Sequence, residues 1–387
     1  MISNNNRPRS ADLGLEMGIL PKGKLNSITD VPGVKVGHST IIEGDGELEI
    51  GKGPIRTGVT AILPHDENIF EHNVTAAAHV INGYGKTVGM PQINELGRIE
   101  SPVLLTSTLS TWNVANYLID YLSERNPGIR SFNPIVGECN DGFLNDIVGR
   151  HVKKSHVFNA IEHASPNEVS EGVVGAGVGM TGFGWKGGIG TSSRICETAQ
   201  GEFQVGCLTL TNTGDARDLR LDGIPVGRHI LPPGYEVEKN PSRWVGGNPL
   251  KGTFINEPPG SIMFVIATDA PVSSRQLNRM AKRVALGLGL CGGVASHSSG
   301  DFVLAFSNAN YNRTKSKDSK YDINQLFDEN LTNLFRGVIE TTNEAIANSI
   351  LKAETTTGFN GNTRHAIPID KIIAIIEESR STKKTDK

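Results

Sequence analysis

The sequence predicts an α/β protein. Three observations carry that prediction: short β-branched runs separated by turn formers, an apolar strand that feeds directly into a helical pattern, and an excess of glycine. Glycine is 45 of 387 residues, where about 7% is usual. It is interleaved with Val, Ile and Thr, which indicates tight turns and close backbone approach inside a folded body. The length suits one large domain or two ordinary ones, and the absence of a tandem repeat excludes a solenoid.

Taken in order, the chain to about Lys24 is polar and irregular, and strands then follow at "VKVGHSTII", "TGVTAILP" and "VTAAAHVING". "PVLLTSTLSTWNVANYLIDYL" runs a strand into a helix, with Val114, Tyr117, Leu118 and Tyr121 on one face. "VVGAGVGMTGFGWKGGIGTSSR" contains G-x-G-x-x-G at Gly177, Gly179 and Gly182. More glycine follows it instead of an amphipathic helix, so the expectation is a glycine-rich turn and strand region, not a dinucleotide loop. "FQVGCLTLTNTG" is a strand, "LRLDGIPVGRHILPP" continues in β style, and Pro232 to Gly260 is an irregular polar connection. The strand "IMFVIATDA" precedes a helix in which Leu277, Met280, Ala281, Val284 and Leu288 keep helical spacing and Ser273 or Ser274 caps the start. After the strand "DFVLAFS", a long helix from Asp322 to about Lys352 is expected to turn Leu326, Phe327, Leu334, Phe335, Val338 and Ile346 to the core.

Charge narrows the function. Lys and Arg number 38 against 41 Asp and Glu, a balance that gives no reason to expect nucleic acid or an anionic membrane as partner. The expected partner is a small substrate. The first twenty residues lack an apolar signal core and no segment reaches the length of a membrane span, so a soluble, cytoplasmic protein is expected. Cys139, Cys196, Cys207 and Cys291 are too widely spaced for a zinc knuckle or disulfide scaffold and are read as buried free thiols. His38, His65, His79, His297 and His365 show no ligand spacing, so neither a metal nor a cofactor is assigned.

The stretch "EPPGSIMFVIATDAP" sets the chemical question. By itself it is a Pro258-Pro259-Gly260 turn followed by a strand that Ser261 opens. A serine hydroxyl needs a base, and no G-x-S-x-G elbow is present. Cutting the bond before Ser261 would supply one, because the new α-amine, with a reference pKa of about 7.7–8.0, can take the proton itself. Ser261 could make that cut by attacking the carbonyl of Gly260, whose missing side chain leaves the carbon unshielded.

"GSIMFVIATDAP", "LNRMAKRVALGL", "SSGDFVLAFS" and "EAIANSILKAETTTGFNGNTRHAIP" closely resemble the D-aminopeptidase and β-peptidyl aminopeptidase (DmpA-type) family of self-processing N-terminal-nucleophile hydrolases. "ITDVPGVKVGHSTI", "TGVTAILP", "GECNDGFLNDI", "GGIGTSSR" and "LDGIPVG" are similar to its upstream motifs, so the resemblance runs in order from about Leu25 to Pro368. It implies an αββα sandwich with DmpA-type connections. The whole of 1–387 would form a single hydrolase domain, cut between Gly260 and Ser261 into 1–260 (α) and 261–387 (β), and such pairs would assemble as a homotetramer.

The resemblance also implies roles. Ser261 matches the nucleophile, and Ser299 and Asp301 in "SSGDF" match a supporting pair, although "SSGD" alone reads as a turn. Asn212 in "LTNTG" matches an oxyanion-hole amide, and Glu138 in "GECNDG" matches an acid that binds the substrate's free amine. At Asn140 the chain departs from family members that carry an aromatic residue near the substrate, so substrate preference does not carry over. The reading is an aminopeptidase or amidase that releases N-terminal L-, D- or β-residues from small peptides, aminoacyl amides or esters through an acyl-enzyme. Two alternatives stay open: an acyltransferase like the one with this related fold in arginine biosynthesis, and a non-catalytic glycine-rich nucleotide-binding protein.

Overall fold

The structure is a computed structural model and describes residues 7–235, 260–309, 313–315, 320 and 323–385. The β-branched runs are strands: β1 (Lys35–Glu43), β2 (Ile55–Leu63) and β3 (His72–Gly83). After α1 (Met90–Leu96) and the short β4 (Arg98–Ile99), β5 (Val103–Ser107) feeds α2 (Thr111–Arg125), followed by β6 (Ile135–Cys139) and α3 (Lys154–Glu162). The glycine-rich stretch forms a hairpin of β7 (Thr181–Gly182) and β8 (Trp185–Lys186) that runs on into β9 (Gly188–Thr198) and β10 (Gly201–Asn212). Then come β11 (Ser261–Thr268), α4 (Ser274–Ala281), α5 (Val284–Leu290), β12 (Gly300–Ser307) and β13 (Thr314–Lys315). The chain closes with α6 (Thr332–Leu351), a β14–β15 hairpin (Thr356–Thr357, Thr363–Arg364) and α7 (Ile369–Thr385).

The strands form a sheet ordered β1-β2-β5-β6 and a larger one ordered β13-β3-β12-β11-β10-β9, with β4 paired to β3. Alternation along β11 separates the layers. Met263, Val265 and Ala267 join Leu208, Leu210, Val103 and Ile135 in a core between the two sheets. Ile262, Phe264 and Ile266 point the other way, into a core shared with Leu277 and Met280 of α4, Val338 and Ile346 of α6 and Ile372 of α7. A third core joins Val59, Leu104 and Val136 of the smaller sheet to Val114 and Leu118 of α2 and Val157 and Ile161 of α3. The layers therefore run helix, sheet, sheet, helix, the αββα sandwich that was expected. β11 is apolar along its length because both of its faces are covered.

One buried ionic cluster ties α6 to β9. Arg194 of β9 bonds Glu340 at 2.9 Å and Glu344 at 2.7 Å, and all three side chains are buried. Gly190 permits the approach, since a Cβ there would run into the carbonyl oxygen of Ala345.

Three local expectations are corrected. The long helix α6 starts at Thr332, not Asp322, and Phe327 is 70% exposed while Leu326 is buried. Asp328 is drawn toward α4 by Arg275, Gln276 and Arg279, which turns the chain just before the helix. "LRLDGIPVGRHILPP" holds one isolated bridge, Leu221 to Ile224, and a 3₁₀ turn at Val226–Arg228. Asp222 and Gly223 both take left-handed backbone (φ 51° and 73°), which closes a tight turn where a strand was expected. The helix expected across "SSRQLNRMAKRVALGLGL" is two helices, α4 and α5. The connection expected between Pro232 and Gly260 lies mostly outside the described residues, as do Pro258 and Pro259. All four cysteines are buried and unpaired. Among the described residues no helix is long and apolar enough to cross a membrane.

Candidate active site

Two ladders assemble the site. β10 and β11 run antiparallel and set Asn212 opposite Ser261. β11 and β12 run parallel and set Gly300 beside Ser261 and Asp301 beside Ile262. Ser261 is buried and shares its strand face with Met263 and Val265, so it opens onto the space between the sheets. The carbonyl of Gly260 accepts the Gly300 N–H at 3.2 Å. A Cβ at Gly260 would lie 2.5 Å from Nδ2 of Asn212, so glycine lets this peptide bond rest against the amide.

Neighbours fix the Asn212 amide at both ends. Thr181 N–H donates to its Oδ1 at 2.8 Å, and its Nδ2 donates to the Asn140 carbonyl at 3.0 Å. A donor at one end and an acceptor at the other leave one way round for the amide, and its Nδ2, which carries a second hydrogen, lies next to Gly260.

Ser299 and Asp301 are both buried, and the Ser299 hydroxyl donates to Asp301 Oδ1 at 2.5 Å. Thr213 Oγ1 lies 3.5 Å from the same hydroxyl. Burial pushes the Asp301 carboxyl up to about 6, against the opposing hydrogen bonds from Ser299 and the Ile262 backbone. Among the described residues its Oδ2 has no hydrogen-bond partner. The register sets the residue that carries this open acceptor beside Ile262, the next residue along β11 from Ser261.

Glu138 is buried. Its Oε1 accepts the Lys86 N–H at 2.9 Å and its Oε2 accepts the Thr108 hydroxyl. Among the described residues it has no ion-pair partner, which leaves its charge available to a cation from outside the chain. Asn140 is exposed, and its side chain is turned back on its own loop, where Oδ1 accepts the Gly142 N–H at 2.9 Å. Its carbonyl, not its side chain, reaches the Asn212 amide.

Several groups escaped the sequence reading. Asn82 Nδ2 donates to the carbonyls of Ser296 (3.0 Å) and Ser299 and so holds the turn that presents Ser299. Asp141 is buried and bound by Thr57, Ser107 and Asn145, which pins the loop carrying Asn140, and burial raises its carboxyl to about 6. Asn82 sits in "NGYG" and Asp141 in "CNDG", where both pass for ordinary turn formers.

The histidines stand apart from this centre. His38 is bonded to Thr60, and burial holds it neutral, with its pKa lowered to about 4. His65 bonds the carbonyl of His72, and His297 is exposed with its ring 6.4 Å from that of Tyr84. Among the described residues no group of three or more His, Cys, Asp or Glu could hold a metal ion. The G-x-G-x-x-G glycines are buried, and a Cβ at Gly177 would lie 2.5 Å from the Gly172 carbonyl oxygen. They lead into the β7–β8 hairpin, not a helix N-terminus, so they make no phosphate cradle.

Against known proteins, residues 26–364 match Peptidase family S58. The chain belongs to this family. It is 40% identical to the β-peptidyl aminopeptidase BapA of Sphingosinicella xenopeptidilytica, over 96% of this chain and 91% of that one. The PH0078 protein of Pyrococcus horikoshii OT3 superposes with a TM-score of 0.87 at 45% identity, covering 96% of this chain and 99% of the other. The L-aminopeptidase D-Ala-esterase/amidase of Ochrobactrum anthropi, described as a prototype serine aminopeptidase with a variant Ntn hydrolase fold, gives 0.84 at 32% identity, with coverage of 96% and 99%. As a member of peptidase family S58 the protein is an aminopeptidase, a hydrolase acting on peptide bonds, and the glycine-rich nucleotide-binding alternative is set aside.

Proposed function

We propose that the chain cuts itself between Gly260 and Ser261 and then acts as an N-terminal-serine aminopeptidase and amidase. The juxtaposition of Asn212, Gly260, Ser261 and Gly300 across two ladders carries this reading. Ser261 Oγ attacks the Gly260 carbonyl carbon, whose oxygen is already held by the Gly300 N–H. The peptide bond shifts to an ester, the proton passes from Oγ to the departing nitrogen, and water then hydrolyses the ester. Two associated chains result, 1–260 and 261–387, which together make one hydrolase domain.

The freed α-amine of Ser261 next takes the hydroxyl proton as Oγ attacks the substrate carbonyl, and hands it to the leaving amine. The remaining N–H of Asn212 meets the charge that develops on the substrate oxygen. Ser299 and Asp301 hold the nucleophilic end, and the Oδ2 of Asp301, unpartnered among the described residues, accepts from the new amine; the Ser299–Asp301 bond and that open oxygen support this role. Glu138 binds the substrate's own ammonium, which confines cleavage to the N-terminal residue. Asn140 lines the outer part of the same subsite.

The substrates are small peptides, aminoacyl amides and esters with an L-, D- or β-residue at the N-terminus, and the names of the two characterised relatives support that range. No cofactor enters these steps. The processed pairs assemble as a homotetramer; the exposed Leu286 and Leu290 of α5 are apolar surface of the kind such an assembly covers. The test is amine release from a panel of L-, D- and β-aminoacyl amides by wild type and Ser261→Ala. Turnover by wild type alone is expected, and equal turnover by both would overturn the assignment.

A further inference from the structure

Lys186 is fully buried, yet among the described residues it has no carboxylate ion-pair partner. Its three ammonium hydrogens go to the carbonyls of Gly177, Met180 and Gly187 at 3.0, 2.8 and 2.7 Å. Burying an ammonium among neutral groups is costly. Burial and the nearby Arg364 push its pKa well down, and Asp141 works the other way. Closing a glycine hairpin does not need a charge there, so another demand is at work.

The Met180 carbonyl supplies one. It also accepts the Gly187 N–H at 3.1 Å, and the N–H of the same peptide group, on Thr181, donates to Asn212 Oδ1 at 2.8 Å. A peptide group is planar, so fixing its oxygen fixes the direction of its N–H. Arg364 Nε bonds Thr181 Oγ1 at 3.0 Å and steadies the same residue.

We propose that Lys186 is a positioning residue for catalysis, holding and polarising the Met180–Thr181 peptide so that the Asn212 amide stays turned with its N–H toward the reacting carbonyl. The hydrogen-bonded chain runs from the ammonium through one peptide group to the Asn212 side chain, and each bond in such a chain strengthens the next. It rests on the reading of Asn212 as the oxyanion donor. The glycine-rich stretch gains a purpose from it, because the turn must fold tightly around the ammonium to present three carbonyls to it.

The test is a double-mutant cycle on the full chain with Lys186→Met, Lys186→Gln and Asn212→Ala, following self-cleavage by intact mass and turnover of an aminoacyl p-nitroanilide. K186M is expected to lower kcat about tenfold or more, with KM within about twofold. K186Q, which keeps two donors, should recover part of the loss. In the N212A background K186M should cost nothing further. Losses that multiply across the two positions would overturn the role of Lys186, whereas N212A with full kcat would overturn the reading of Asn212 itself. Should K186M fail to accumulate, K186Q completes the cycle. Should N212A be too slow to time, the Lys186 variants decide alone, and wild-type kcat in both overturns the proposal.

Discussion

Ser261 and Asn212 face each other as the terminal pair of the β10–β11 ladder, a serine that opens one strand against an asparagine that ends the other. Pairing register, not sequence proximity, sets this relationship, and it places the amide beside the bond to be cut. Asn212→Ala should therefore slow both self-cleavage and turnover, by about 10²–10³ in kcat, the usual cost of one oxyanion donor. Timed intact-mass and steady-state assays would check it, and an unchanged self-cleavage rate would count against the geometry.

Glu138 should act on substrate and not on folding, since its carboxylate is buried without an ion-pair partner among the described residues. Glu138→Gln keeps acceptors for Lys86 and a partner for Thr108 but removes the charge. kcat/KM for substrates with a free α- or β-amine should fall by about tenfold or more, while an ester lacking the amine should be hydrolysed as before. Equal losses on both substrates would contradict an amine-binding role.

Asp301 gives a pH signature. Its carboxyl is raised from an unfolded value of 3.8 to about 6, so the folded protein holds the proton that the unfolded chain has released. Stability should then fall as pH rises from about 4 to 6, by on the order of 2–3 kcal/mol from this group. Asp141, also raised to about 6, adds to the same slope. On an uncut Ser261→Ala chain, Asp301→Asn should flatten the urea midpoint against pH across that window. Identical slopes with and without Asp301 would refute the shift.

Arg194 is the stability hinge of the helix side, because it alone neutralises Glu340 and shares Glu344 with Lys22 among the described residues. Arg194→Ala strands buried carboxylates and should cost about 3–5 kcal/mol. Urea unfolding of the single-chain Ser261→Ala background measures this directly. A loss below about 1 kcal/mol would mean that α6 is held by its apolar face alone.

Local pattern made most of the fold legible. The β-branched runs became strands, and the doubly buried β11 announced itself as an unbroken apolar stretch. Errors fell where a distant partner decides the path: Asp328, drawn to Arg275 and Arg279, ends the extended segment before α6 and leaves Phe327 outside. At the site, Ser261, Ser299, Asp301, Asn212 and Glu138 were reached through family motifs, and the spacing of these residues alone would not have joined them. Asn82, Thr181 and Lys186 stayed hidden because they work through backbone groups, whose neighbours follow from strand register. Glu138 could not be recognised as buried from "GECNDG", since its cover comes from Lys86 and Thr108 on other segments.

The central claim is that the bond between Gly260 and Ser261 is prepared for its own cleavage. Intact-mass spectrometry of the purified protein beside its Ser261→Ala variant tests it most directly. The account predicts two masses for wild type, matching residues 1–260 and 261–387, and one full-length mass for the variant. A wild-type chain that stays whole while hydrolysing aminoacyl amides, or a variant cut at the same bond, would contradict it.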